Sequence, residues 1–92
     1  MSLAWTIEIS DTAKKQLKKM GKEDAKRIIS YLKSRAAEGD NPRKIGKALK
    51  GNLSELWRYR IGDFRVICEL QDNVMTILVL KAGHRKEIYK RH

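Results

Sequence analysis

The sequence predicts an α+β domain of order β-α-α-β-β-β, with a helical hairpin packed on one face of a largely antiparallel four-stranded sheet. Three observations predict it. Apolar residues alternate with period two near the N-terminus and again from Leu56 to Leu70, which is the pattern of strands with one buried face. Between these runs they recur at helical spacing. Gly62-Asp63 then supplies a two-residue hairpin turn between two alternating runs. With 92 residues, the chain can bury one modest core, so residues 1–92 are expected to form a single domain.

The elements follow in order. Leu3, Trp5, Ile7 and Ile9 alternate with Ala4, Thr6 and Glu8, giving the first strand. Ser10-Asp11 offers side-chain oxygens for a helix N-cap, and Ala13, Leu17 and Met20 continue at helical spacing until Gly21 breaks the pattern. A second helix is expected from Lys22 to Ala37, with Ala25, Ile28, Ile29, Leu32 and Ala36 on its apolar stripe. Glu23 and Asp24 suit the positive end of its dipole. Gly39 stands where a C-terminal cap belongs, and Asp40-Asn41-Pro42 reads as a turn. Arg43 to Asn52 is basic and expected to be irregular. Trp57, Tyr59 and Ile61 then point one way and Leu56, Arg58 and Arg60 the other. Beyond the turn, Phe64, Val66, Cys68 and Leu70 alternate with Arg65, Ile67 and Glu69. Asp72-Asn73 marks another turn. Val74 to Leu80, apolar except for Thr76, fits a central strand, and Lys81 to His92 forms a short basic tail.

Composition narrows the function. Lys plus Arg number 21 against 11 Asp plus Glu, a formal net charge of +10, which suits a polyanion or an acidic protein as partner. One cysteine, Cys68, cannot form an internal disulfide and reads as a small buried apolar residue, and with only His84 and His92 beside it no zinc-site spacing exists. No metal and no cofactor are expected. No run approaches the roughly 18 apolar residues of a membrane span, and the N-terminus lacks a signal-peptide pattern, so no membrane association and a cytoplasmic setting are expected.

The cations fall into two groups. Lys14, Lys15, Lys18, Lys19, Lys22, Lys26 and Lys33 lie off the apolar helix stripes and read as a solvated face. The sheet differs. A tight Gly62-Asp63 turn places Ile61 opposite Phe64 and Arg60 opposite Arg65, with Arg58 on the same face. Like charges directly opposite are destabilising by up to about 1 kcal/mol. An anion that neutralises the cluster is the usual reason for keeping it. Guanidinium groups suit phosphate because the planar fork bonds two oxygens at once. His84 and Arg85 follow the last strand, whose end lies near Phe64 and Arg65. Spacing alone makes Tyr89 a tail residue over the sheet edge, and Trp57 and Tyr59 core residues rather than base-stacking platforms.

These residues resemble the RelE branch of the RelE/ParE superfamily of bacterial and archaeal toxin–antitoxin toxins. The resemblance rests on Leu49-Lys50-Gly51-Asn52-Leu53, on Trp57-Arg58-Tyr59-Arg60-Ile61-Gly62-Asp63-Phe64-Arg65-Val66-Ile67, and on Gly83-His84-Arg85-Lys86-Glu87-Ile88-Tyr89. With the N-terminal strand and helical hairpin it covers nearly the whole chain. It implies a RelE-like fold and a metal-free endoribonuclease that cleaves mRNA in the ribosomal A site. Such an enzyme uses the substrate 2′-hydroxyl as nucleophile and leaves a 2′,3′-cyclic phosphate and a 5′-hydroxyl. Carried over by position, it makes Arg58, Arg60, Arg65, Arg85 and Tyr89 the catalytic set. Lys47, Lys50, His84, Lys86 and Lys90 are expected as RNA contacts. Two departures stand out: the hairpin positions 58 and 60 hold Arg where the best-known member has Lys, and Tyr89 follows Arg85 by four residues rather than six.

The chemistry is self-consistent. Internal phosphodiester transfer needs a base for the 2′-oxygen, positive charge on a phosphorane-like transition state, and support for the leaving 5′-oxygen. A tyrosine of ordinary pKa about 10 moves toward use as a base beside guanidinium groups. Arg60 and Arg65 suit the non-bridging oxygens, Arg58 the flanking backbone, and Arg85 the leaving oxygen; His84 is the residue whose ordinary pKa suits acid chemistry at neutral pH. The alternative is a ParE-like inhibitor of DNA gyrase, which shares the fold and acts by binding; Arg65, Arg85 and Tyr89 together favour the nuclease. A non-catalytic RNA binder explains the cations but not the Arg60–Arg65 pair. The expected partners are a cognate antitoxin, acidic and folding on binding, together with the ribosome and mRNA. The toxin is expected as a monomer that enters a higher-order toxin–antitoxin complex.

Overall fold

The computed structural model describes residues 4–39, 41–49 and 56–84. Strand β1 (Thr6–Ile9) leads into helix α1 (Asp11–Met20), then helix α2 (Lys22–Tyr31), which widens into a π-helical stretch, Leu32–Ala37. Strands β2 (Lys47–Ala48), β3 (Leu56–Ile61), β4 (Phe64–Gln71) and β5 (Thr76–His84) follow. The sheet order is β1-β5-β4-β3-β2. Neighbours are antiparallel except β1 and β5, which run parallel.

The α+β class and the helical hairpin on one face hold, with one correction: the sheet has five strands, not four. The fifth is β2, inside the stretch expected to be irregular. Its whole ladder is Lys47 opposite Arg58 and Ala48 opposite Trp57, too short to leave an alternating pattern in the sequence. The last strand also begins later and runs longer than Val74 to Leu80 suggests. Asp72–Val74 forms a 3-10 turn, closed by Met75 in the left-handed region at φ 45°. The second helix loses α geometry after Tyr31; the wider turn brings the Ala37 carbonyl to accept from Trp5 N–H at 2.9 Å, tying the entry of β1 to the hairpin.

Ser10 caps α1 as expected, its hydroxyl accepting from Ala13 N–H at 3.1 Å. One core forms. Ala13, Leu17, Ile28, Leu32 and Ala36 from the helices meet Tyr59, Ile61, Val66, Cys68, Leu70, Ile77, Val79 and Ala82 from one sheet face. Cys68 is buried, as read from the sequence, and burial pushes its thiol pKa up. Tyr59 is fully buried and its hydroxyl donates to the Pro42 carbonyl at 2.8 Å. Gly46 makes this possible: a Cβ there would stand 2.8 Å from the Tyr59 ring. Trp57 is half-buried, with Nε1 buried and without a hydrogen-bond partner among the described residues.

The helices cover only that face. The other carries residues that alternate with the core set, and there the candidate site lies.

A cationic sheet face as the candidate functional site

Hairpin geometry places the first cations. Gly62 takes φ 59° and is the single positive-φ residue in the two-residue turn, the pattern of a type II′ hairpin. A tight turn fixes the ladder: Ile61 opposite Phe64, Arg60 opposite Arg65, Tyr59 opposite Val66, Arg58 opposite Ile67. Cross-strand partners share a face, so Arg58, Arg60 and Arg65 stand together, away from Tyr59 and Val66. The expected register is the observed one.

The ladders extend this into a grid. One row across the open face runs Lys47, Arg58, Ile67 and Lys81; the next, toward the hairpin tip, runs Arg60, Arg65 and Gly83. Rows lie about 7 Å apart and neighbouring strands about 4.8 Å, so these cations fall within reach of one short stretch of phosphate backbone. In the opposite direction the face changes character, to Leu56, Glu69, Leu78 and Glu8, then Gln71, Thr76 and Thr6. An open groove of about 380 Å³ at that far end is lined by Glu69, Leu70, Gln71, Asp72 and Asn73. Glu69 there is acidic and Asp72 is paired with Arg43, so the groove offers a polyanion no cationic row like that of the basic end.

Lys81 is the member that sequence reasoning missed. The sequence pattern puts it in the basic tail, because the apolar run ends at Leu80. A β-bulge at Leu80 shifts the register between Cys68, opposite Val79, and Ile67, opposite Lys81. Without the bulge Leu80 would oppose Ile67 and Lys81 would turn into the core. Helix α1 holds the bulge: the Ser10 hydroxyl donates to the Leu80 carbonyl at 3.1 Å, and Ala82 N–H donates to Gln16 Oε1 at 2.8 Å. A lysine at the close of an apolar run is the only signal the sequence offers.

Arg65 is the most enclosed of the group, only 6% exposed. Its Nη1 donates to the carbonyls of Phe64 at 3.1 Å and Gly62 at 3.4 Å, which bends the guanidinium back over the turn. Neither Arg60 nor Arg65 forms an ion pair among the described residues. A nearly buried cation with its charge unmatched is an expensive arrangement unless an anion arrives. Arg58 is half-buried and Lys47 exposed.

His84 ends β5 opposite Phe64, hence on the helix side of the ladder and not with Arg65. Its ring meets that of Phe64 edge-on, with centroids 6.1 Å apart and planes at 75°. Arg85, Lys86, Tyr89 and Lys90, and also Lys50, lie outside the described residues. Among the described residues no group of three or more His, Cys, Asp or Glu side chains could hold a metal ion, and no helix is long and apolar enough to cross a membrane.

A second arrangement flanks the site. Arg43 makes a two-point pair with Asp72, Nη2 to Oδ2 at 2.7 Å and Nη1 to Oδ1 at 3.1 Å, while its guanidinium carbon lies 5.8 Å from the Trp57 ring centre. The hydrogen bond from Arg43 holds the Asp72 carboxyl below its ordinary range.

A mixed five-stranded sheet backed by a helical hairpin, with arginines gathered at one hairpin tip, defines a small basic α+β domain suited to anionic partners. The chain belongs to the family described as ParE toxin of type II toxin–antitoxin system, parDE, whose model matches residues 7–89, and so to the RelE/ParE superfamily of toxins. It is 26% identical to toxin RelG of Mycobacterium tuberculosis over 92 residues, covering 97% of this chain and 100% of the relative. Its fold is similar to the toxin–antitoxin complex RelBE2 of Mycobacterium tuberculosis, with a TM-score of 0.80 and 21% identity over 92% of this chain and 95% of that one. It is also similar to the RelB–RelE antitoxin–toxin complex of Methanococcus jannaschii, with a TM-score of 0.67 and 27% identity over 92% of this chain and 98% of that one.

Proposed function

We propose that this toxin is a ribosome-dependent endoribonuclease that cleaves mRNA in the ribosomal A site and so inhibits translation. The observation that carries the reading is the ladder pair Arg60 and Arg65, directly opposed, without an acidic partner among the described residues, and beside Arg58. In the reaction Tyr89 takes the proton of the 2′-hydroxyl and the 2′-oxygen attacks the adjacent phosphorus. The bond from phosphorus to the 5′-oxygen breaks, and the leaving oxygen takes up a proton from water while Arg85 stabilises its developing charge. A 2′,3′-cyclic phosphate and a 5′-hydroxyl remain. Arg60 and Arg65 hold the non-bridging oxygens, where charge builds up in the transition state. Arg58 holds the flanking backbone; Lys47, Lys50, His84, Lys86 and Lys90 contact RNA. No metal enters this scheme.

Residues 1–92 act as one domain, a monomer in the cytoplasm that an acidic antitoxin binds by folding around it into a higher-order complex. The RelB–RelE complexes among the similar structures support that partner. A programmed-ribosome assay tests the activity: cleavage of mRNA only when ribosomes are present, abolished by Arg65→Ala, supports it. The second reading, inhibition of DNA gyrase by binding, is favoured by the match to the ParE family. Loss of supercoiling by gyrase in the same sample, without mRNA cleavage, would establish it instead.

A further inference from the structure

The hairpin tip receives a third arginine from the other side of the sheet. Arg27 belongs to α2 and is exposed, yet its Nη2 lies 3.1 Å from where a Cβ on Gly62 would stand. It makes no hydrogen bond or ion pair among the described residues. From the open face, Arg65 Nη1 reaches the Gly62 carbonyl at 3.4 Å, and Arg60 opposes Arg65 one step down the ladder. Guanidinium groups from α2 and β4 thus meet at one turn, which itself carries one carboxylate, Asp63, while Arg60 stands one ladder step away. Gly62 has no side chain to separate them, so a ligand backbone can pass close over the turn.

We propose that Arg27 extends the RNA site across the hairpin tip: a single-stranded RNA backbone lying over Arg60 and Arg65 continues over Gly62-Asp63 onto α2, where Arg27 holds a phosphate. The inference rests on the nuclease reading above and adds a contact and a direction for the strand. Arg27 acts in binding, not in bond cleavage. Its fork can take two oxygens of one phosphate, whereas the lysines elsewhere on the helices act as point charges.

The test measures affinity for a labelled single-stranded RNA oligonucleotide across a salt series, together with kcat and KM in the programmed-ribosome assay. Arg27→Ala, exposed and tolerant of replacement in a helix, is expected to weaken RNA binding several-fold. It should lower the slope of log affinity against log salt by about 0.7, the value for one phosphate contact on a single strand. KM should rise with kcat unchanged. Arg27→Lys should restore the slope, and Lys26→Ala, also exposed, should do much less. An Arg27→Ala protein that binds like the wild type, or a Lys26→Ala protein that loses as much, overturns the proposal. A wild-type chain that binds RNA in an Arg27-dependent way but cleaves no mRNA overturns the nuclease reading and leaves the contact standing. A wild type that binds no free RNA, with an Arg27→Ala variant that keeps the wild-type KM on programmed ribosomes, overturns the contact, and the nuclease reading then stands on cleavage by programmed ribosomes alone.

Discussion

Arg60 and Arg65 face each other across the β3–β4 ladder, an exposed guanidinium against one that is nearly enclosed. Two like charges in register destabilise the hairpin they belong to, a cost that the anion binding proposed above would offset. Arg60→Ser is expected to raise stability by roughly 0.2–1 kcal/mol, read as a higher urea midpoint at unchanged m. Added salt should shrink the difference. In the cleavage assay the same variant should lose activity.

Arg65 is fixed by its two carbonyl acceptors, Phe64 and Gly62. A lysine has the charge but neither the planar fork nor the fixed aim. Arg65→Lys is therefore expected to lower kcat by about 10²-fold, the scale for removing one preorganised donor from a charged transition state, with little change in thermal stability. Single-turnover cleavage on programmed ribosomes checks it.

The buried Tyr59 is a structural tyrosine, in contrast to the role proposed for Tyr89. Burial is the main cause that pushes its hydroxyl above the ordinary 10.0, and burial likewise pushes the Cys68 thiol above 9.0. Both groups hold their protons longer in the folded state than in the unfolded one. Their contribution is fully present below pH 9 and is lost as pH rises, first from the Cys68 step and then from the Tyr59 step. Tyr59→Phe removes the second part of that alkaline loss, but it strands the Pro42 carbonyl and is expected to cost roughly 1–3 kcal/mol at pH 7. Urea unfolding between pH 7 and 11 measures both effects. Tyr89→Phe should do the opposite, lowering kcat with stability kept.

Asp72 contributes to the acid limb. Its folded-state pKa lies below the ordinary 3.8 because of the Arg43 hydrogen bond. The pair's contribution is therefore present above that value and lost as pH falls through the folded-state pKa. Asp72→Asn should flatten this limb in unfolding curves taken between pH 5 and 2. Release of Arg43 from its two-point pair should also change the emission of Trp57, read in a Trp5→Phe background.

The bulge at Leu80 offers a structural control. Gln16→Leu removes the acceptor of Ala82 N–H and is expected to destabilise the fold by roughly 1–3 kcal/mol. Because the bulge also aims Lys81 at the open face, RNA affinity should fall with it, more steeply than in Lys81→Ala if the register slips.

Element order, the Ser10 cap and the hairpin register were legible in the sequence because each rests on local chemistry: a period, a capping oxygen, a two-residue turn. The Arg58, Arg60 and Arg65 face followed directly from them. What stayed hidden depends on contacts distant in sequence. Strand β2 exists only because β3 lies alongside it. Leu80 looks like any apolar residue in an apolar run until Ser10 and Gln16 are seen to hold its neighbourhood. Arg43 finds Trp57 and Asp72, and Arg27 finds Gly62, only in three dimensions.

The parallel pairing of β1 with β5 has a consequence for how each molecule comes into being. The Ser10 hydroxyl waits for the carbonyl of Leu80, a partner 70 residues later. Until β5 emerges during synthesis, β1 and both helices have no sheet to cover, and the row that unites Lys47, Arg58 and Lys81 does not exist. Long-range closure of this kind is slow and comes after local structure has formed. The nascent chain thus lacks the assembled cationic face, which is completed only late in synthesis, when the strand between β1 and β4 is in place.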